Sequence, residues 1–173
     1  MNGTSHKIAG ASAALMVSTW MFRDVSVDAT TYIAIGTSVI GGALGGLLPD
    51  IDHPGSTLGR RARILSYPIN KLAGHRGITH TLLALVLLSY LLFVISGWIP
   101  IAWKGYGLVF FIGIIIGYAS HLVLDMLTVS GIPLLYPFSS KMIRIAGLRT
   151  GKDDWLVILL TVAVTGTYLY YTL

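Results

Sequence analysis

Five apolar runs, separated by polar breaks, set the pattern of the chain: Ile8 to Phe22, Thr30 to Leu48, Thr79 to Gly97, Tyr106 to Leu127 and Trp155 to Tyr171. Crossing a bilayer takes roughly 20 apolar residues as helix, so the last four read as spans. The first is short and resembles a signal peptide in length. However, a single Lys precedes it and no small-residue cleavage pattern follows before Arg23 and Asp24, so it reads as helix one. In the second run, Gly41/Gly45 and Gly42/Gly46 stand at the small-xxx-small spacing that lets helices approach closely. Between Pro49 and Ile78 the hydropathy is broken. There Leu58, Ile64, Leu65 and Ile69 alternate with Arg60, Arg61, Arg63 and Lys71, the pattern of a segment lying flat at headgroup level. Trp98 and Trp103 flank Pro100 as an interfacial aromatic belt. The expected fold is all-α: one domain over residues 1–173, a polytopic membrane bundle of about five helices, with an interfacial loop or short helix between spans two and three.

Composition agrees with that solvent. The chain is 54% hydrophobic and 11% charged, against about 25% charged in ordinary globular domains, and its mean hydropathy is +0.76. A soluble enzyme is excluded. With no cysteine, disulfides and thiolate ligation are excluded too, leaving His and carboxylate for any metal. Of 12 basic residues, only Arg23 and Lys104 fall on one side if all five runs cross. The rest fall on the other, which the positive-inside rule makes cytoplasmic. The N-terminus is then inside and the C-terminus outside. The basic run around Arg60 reads as a lipid-headgroup contact rather than a nucleic-acid surface.

The same alternation gathers the candidate chemistry. His6, the loop carrying Asp50, Asp52, His53, His75 and His80, and the pair His121/Asp125 at the end of span four share the cytoplasmic face. Each piece alone has an ordinary explanation. Asp50 and Asp52 after Pro49 suit a turn, and a lone His-x-x-x-Asp suits an ion pair between helices. His75 and His80 are about 140° apart on one helix, so they share an ion only if a helix starts between them, with Thr79 as its N-cap. Together, all 5 histidines and three of the 7 acids at one face point to a metal site, because ionisable residues near a bilayer are costly without a function. His121 and Asp125, one turn apart on one face, suit ligation by both or an Asp that orients a ligating His.

Three motifs carry a resemblance: Leu47-Leu48-Pro49-Asp50-Ile51-Asp52-His53, His75-Arg76-Gly77-Ile78-Thr79-His80-Thr81, and Gly117-Tyr118-Ala119-Ser120-His121 to Asp125, with Thr4-Ser5-His6 before them and Pro137-Phe138 beyond. The set resembles the YdjM family, described as inner-membrane, LexA-regulated, metal-dependent hydrolases. It is also distantly similar to zinc-dependent phospholipase C and P1-type nucleases. That similarity implies His6, Asp52, His80, His121 and Asp125 as metal ligands, with His53 a further candidate and Asp50, His75 and Arg76 assigned to catalysis. The implied cofactor is zinc, as one or two ions, with manganese or magnesium as alternatives. The implied activity is cleavage of a phosphoester in a lipid or lipid-linked substrate at the cytoplasmic face of the inner membrane. Arg76 would clamp a phosphate oxygen through its planar fork. The alternative is a transporter or a metal-binding membrane protein without hydrolysis. Transport sites lie near the midplane on broken helices, whereas the centres of spans three and five hold little beyond Ser89, Thr161 and Thr165.

Overall fold

The computed structural model describes residues 1–26, 28–73 and 77–172. Six helices make up the fold: α1 Gly3–Met21, α2 Ala29–Gly45, α3 Arg63–Ala73, α4 Leu82–Ser96, α5 Lys104–Met126 and α6 Asp154–Thr172. Short 3-10 turns at Pro49–Asp52, Ile78–His80 and Ile101–Trp103 link them. Among the described residues, β structure is limited to the isolated bridges Thr128 to Leu148 and Ile132 to Ile143, which fold the segment after α5 over that helix's end.

Glycine backbone, rather than interlocked side chains, holds the centre. A Cβ on Gly42 would collide with the Gly10 carbonyl, and one on Gly117 with the Gly42 carbonyl, so α1, α2 and α5 meet backbone to backbone. Gly41 and Gly45 face Phe110 and Ile114 of α5, while Gly42 and Gly46 face Gly10 and His6 of α1. The two small-xxx-small pairs thus serve two different partners. In lipid there is little hydrophobic drive between helices, so close approach of this kind is what packs them. The large apolar side chains point outward instead, with Val86, Leu87 and Phe93 of α4 and Leu159 and Val162 of α6 exposed.

Register follows from these contacts. His6 and Gly10 oppose Gly46 and Gly42, so α1 and α2 are antiparallel; Gly113 and Gly117 sit against Ser38 and Gly42, so α2 and α5 are parallel. Ile99, just beyond α4, meets Gly107 of α5, while Leu85 and Leu88 near the start of α4 pack against Tyr118 and Leu122. At one end of the bundle, the Asp154 carboxylate accepts from the Asn2 backbone N–H and the Ser5 hydroxyl, both at 3.1 Å. At the other, Thr19, Arg23, Thr31 and Thr172 line one cavity. The chain therefore traverses the bundle five times, and α1, α2, α4, α5 and α6 each have one terminus at the Asp154 end.

Among the described residues, three stretches are long and apolar enough to cross a membrane: Ala29–Asp52, Ile101–Met126 and Asp154–Thr172. On that measure three of the five expected traverses qualify by themselves, while α1 and α4 cross the bundle without meeting it. Helix α1 starts five positions before the apolar run, because Asn2 caps it by accepting from the Ser5 N–H, and its first turns carry Ser5, His6 and Lys7. Helix α4 has 15 residues, about 22 Å at 1.5 Å each, short of a hydrocarbon core of about 30 Å. The segment between α2 and α4 contains the expected short helix: Ile64, Leu65 and Tyr67 of α3 are exposed beside Arg60, Arg61 and Arg63, and Asn70 ties α3 to the bundle by donating to the Asp52 carbonyl at 2.8 Å.

Candidate metal centre

The Nε2 atoms of His80 and His121 face each other at 3.2 Å. Which of these nitrogens carry protons follows from the groups on the far side of each ring. Gly46 caps the C-terminus of α2, where carbonyls lie beyond the helical ladder, and its O lies 2.8 Å from His121 Nδ1. A carbonyl only accepts, so Nδ1 donates and Nε2 keeps its lone pair. Behind His80, the Thr79 hydroxyl donates to Asp52 Oδ2 at 2.6 Å. That leaves His80 Nδ1 facing acceptors: Thr79 Oγ1 at 3.1 Å and Asp52 Oδ2 at 3.2 Å. Tyr118 holds the turn by donating its hydroxyl to the Thr79 carbonyl. Two lone pairs this close need a cation or one shared proton between them.

Carboxylates surround that gap. Asp125 Oδ2 is 3.5 Å from His80 Nε2 and 3.6 Å from His121 Nε2, and Asp50 Oδ1 is 3.8 Å from both. The other oxygen of Asp125 lies 2.9 Å from the Met1 amino group and 3.3 Å from His6 Nε2. His6 is fully buried and stacked on His121, ring centroids 3.6 Å apart and planes 15° apart. Neither of its ring nitrogens has a hydrogen-bond partner among the described residues, the Asp125 approach being outside hydrogen-bond geometry. Among the described residues, two triads have the spacing to hold an ion, His6/His121/Asp125 and Asp50/His80/His121. His121 belongs to both, and with Nδ1 committed to Gly46 it offers one lone pair.

These residues fit a divalent metal. With Zn–N bonds of 2.0–2.1 Å, donors at adjacent corners of a tetrahedron stand about 3.3 Å apart, close to the spacings around the gap. The Asp52 carboxylate behind a ligating imidazole is the usual device for fixing ring orientation. Burial argues the same way. His6, Asp52, His80 and His121 are fully buried and Asp125 nearly so, and such a concentration of ionisable groups is costly without a compensating charge. Asp50 is less covered than the rest, and it opens, with Asp125, onto a polar cavity of about 300 Å³ that His53, Ser56, Thr57 and Arg60 also line.

Known proteins resemble the chain over much of its length. The family described as YdjM inner membrane protein matches residues 1–172. The chain belongs to the YdjM family. The inner membrane protein YdjM of Escherichia coli (strain K12) is 48% identical over 93 residues, covering 53% of this chain and 44% of that protein; the Shigella flexneri protein of the same name matches equally. The chain thus spans less than half the length of these two relatives. The uncharacterized protein YvsG of Bacillus subtilis (strain 168) is 36% identical over 132 residues, 76% of this chain and 77% of that one. No solved structure matches.

Within this YdjM-family chain, the structure brings His6, Asp50, Asp52, His80, His121 and Asp125 together. It distributes them differently from the sequence expectation. Asp52, expected among the ligands, stands behind the His80 ring, whereas Asp50 faces both Nε2 atoms. His53 is exposed at the cavity rim rather than in the buried cluster, its ring lying over Gly55. His75 and Arg76 lie outside the described residues. Thr81, not Thr79, is the N-cap of α4, accepting from the Ala84 N–H, which frees Thr79 for Asp52. Ser120 donates to the Gly117 carbonyl and takes no part. Sequence reasoning missed Thr79, Tyr118, the Gly46 carbonyl and the Met1 amino group, whose roles rest on backbone atoms or long-range contacts that no motif encodes.

Proposed function

We propose that this chain is a membrane-embedded hydrolase that uses one bound divalent ion, zinc by its donor set, to cleave a phosphoester of a membrane lipid or lipid-linked substrate at the cytoplasmic face. The observation that carries the reading is the pair of Nε2 lone pairs 3.2 Å apart, ringed by two carboxylates and opening on a polar cavity. Three buried imidazoles favour zinc over manganese or magnesium, and sharing of His121 between the triads favours one ion over two. When bound, such an ion acts as a Lewis acid and lowers the pKa of water toward 7.

The side chains supply the rest. His80 and His121 are locked in one tautomer by Asp52, Thr79 and Gly46. Asp50, at the boundary between cluster and cavity, takes the proton of the attacking water as the water oxygen bonds to phosphorus. The bond from phosphorus to the leaving oxygen breaks, and Asp50 passes to that oxygen the proton it took from water. Arg60 on the cavity wall offers a planar fork that bonds phosphate bidentately, the role the sequence suggested for Arg76. The cytoplasmic placement is supported by the charges: among the described basic residues, only Arg23 and Lys104 sit at the end remote from the cluster.

Metal analysis and turnover on a single preparation test the reading. The wild-type chain is expected to carry about one ion and to hydrolyse a lipid phosphoester, with His121→Ala and Asp125→Ala inserted in the membrane but lacking both properties, since spanning helices are held by their backbone bonds and the bilayer. A metal-free wild type would mean a shared proton and an ion-pair network in place of a metal. A loaded chain inert across lipid phosphoesters would leave a metal-binding membrane protein.

A further inference from the structure

Helices α1 and α6 leave the Asp154 anchor in the same direction and pack there, Ala9 sharing a buried cluster with Val157, with a groove running along the seam between them. On α1, Ala9, Ser12, Ala13 and Met16, and on α6, Val157, Leu160 and Val164, line a groove of about 310 Å³, closed toward the cluster by Leu124 and Leu148. Apart from Ser12 and Thr161, the side chains lining it are apolar. The α6 side of the groove lies in a helix long and apolar enough to cross a membrane, so the medium available to fill it is hydrocarbon. Its head adjoins the polar cavity through Met1. This residue lines that cavity and packs with Ala9, Leu124 and Val157 of the groove.

Surroundings select the occupant. The groove runs about 10 Å along α6 from Val157 to Val164 at 1.5 Å per residue, opens beside a helix long enough to cross a membrane, and meets the polar cavity at its head, an arrangement that matches the acyl chain and polar end of one lipid. We propose that the α1–α6 groove holds a single acyl chain of the lipid whose polar end enters the cavity beside Asp50 and Arg60. This rests on the phosphoester reading for the identity of the polar end. It makes the substrate an intact membrane amphiphile with its tail bound along α1, rather than a water-soluble phosphoester.

The test uses the full chain in phosphatidylethanolamine vesicles doped with phosphatidylglycerol that carries a photoactivatable diazirine at mid-chain, with adducts mapped by peptide mass spectrometry. Adducts should concentrate on Ala13, Met16 and Val164, several-fold above the outward-facing Val86, Leu87 and Phe93 of α4. Ala13→Phe, which fills the groove, should remove that excess, while Ser12→Ala keeps it; an unchanged thermal midpoint in detergent shows that Ala13→Phe is folded. Even labelling of both faces, an excess that survives Ala13→Phe, or protein–protein adducts at Ala13 would overturn the proposal. Labelling needs neither metal nor turnover, so the two readings fail separately. Selective labelling without hydrolysis upholds the groove and removes the phosphoesterase, whereas hydrolysis with even labelling removes the groove alone.

Discussion

At the scale of single residues, Asp52 and Thr79 meet the cluster at the His80 ring. Thr79 spends its proton on Asp52 at 2.6 Å, and the pair leaves His80 Nδ1 only acceptors to meet. Asp52→Asn puts an amide where the carboxylate stood and weakens the preference for the tautomer that presents Nε2. The expected result is metal binding weaker by about 10–100-fold, the usual effect of losing such an orienting partner, measured by chelator competition, with the bundle intact. Thr79→Val should shift affinity the same way by less. Unchanged affinity in Asp52→Asn would show that His80 is oriented by packing alone. His121 and Asp125 were legible from their one-turn spacing, and Asp50 and Asp52 from their crowding after a proline. Which of the two acids faces the gap was not, because the two steps between them along a 3-10 turn, at three residues per turn, point their side chains in different directions.

At the scale of elements, the contacts between α1, α2 and α5 set how far apart the ligands stand. His6, His121 and the Gly46 carbonyl come from three different helices, so any outward movement of one of those helices opens the cluster. A Cβ at Gly117 would run into the Gly42 carbonyl. Gly117→Val is therefore expected to force the helices apart, lowering both the thermal midpoint in detergent and the bound metal. Gly36 and Gly166 are also helical, but a Cβ at either would meet nothing within 4 Å. Replacing either by Ala should be neutral or stabilising by about 0.5–1 kcal/mol, since Ala is the better helix former. If Gly36→Ala and Gly117→Val gave the same midpoint, close backbone approach would not be what holds the bundle. The small-xxx-small spacing announced this packing, but not that adjacent glycine pairs face opposite neighbours.

At the scale of the molecule, an odd number of traverses separates the two ends. A reporter in the segment from Gly55 to Ser66 should read cytoplasmic and one fused after the last residue periplasmic, because nearly all basic residues gather at the cluster end and resist translocation. Reporters on the same side would contradict both the orientation and the cytoplasmic placement of the site. The short α4 bears on how the bilayer meets the protein: a helix of 15 residues is accommodated by local thinning or by flanking residues that reach the interface, consistent with Trp98 and Trp103 lying exposed just beyond it.

Hydropathy along the chain was sufficient for the solvent, the helical class, the boundaries of most helices to within a few residues and the end of the bundle at which the polar residues meet, because each of these depends on runs of side chains that a bilayer sorts by polarity. The start of α1 escaped it, since Ser5, His6 and Lys7 look like a leader until Asn2 is seen capping a helix that turns them inward. Only the tertiary structure decided that His6 stacks on His121, that Asp50 and not Asp52 faces the two Nε2 atoms, and that α1 and α6 part to leave a groove. Those outcomes depend on distances between atoms far apart in sequence, and on backbone carbonyls that every residue carries alike.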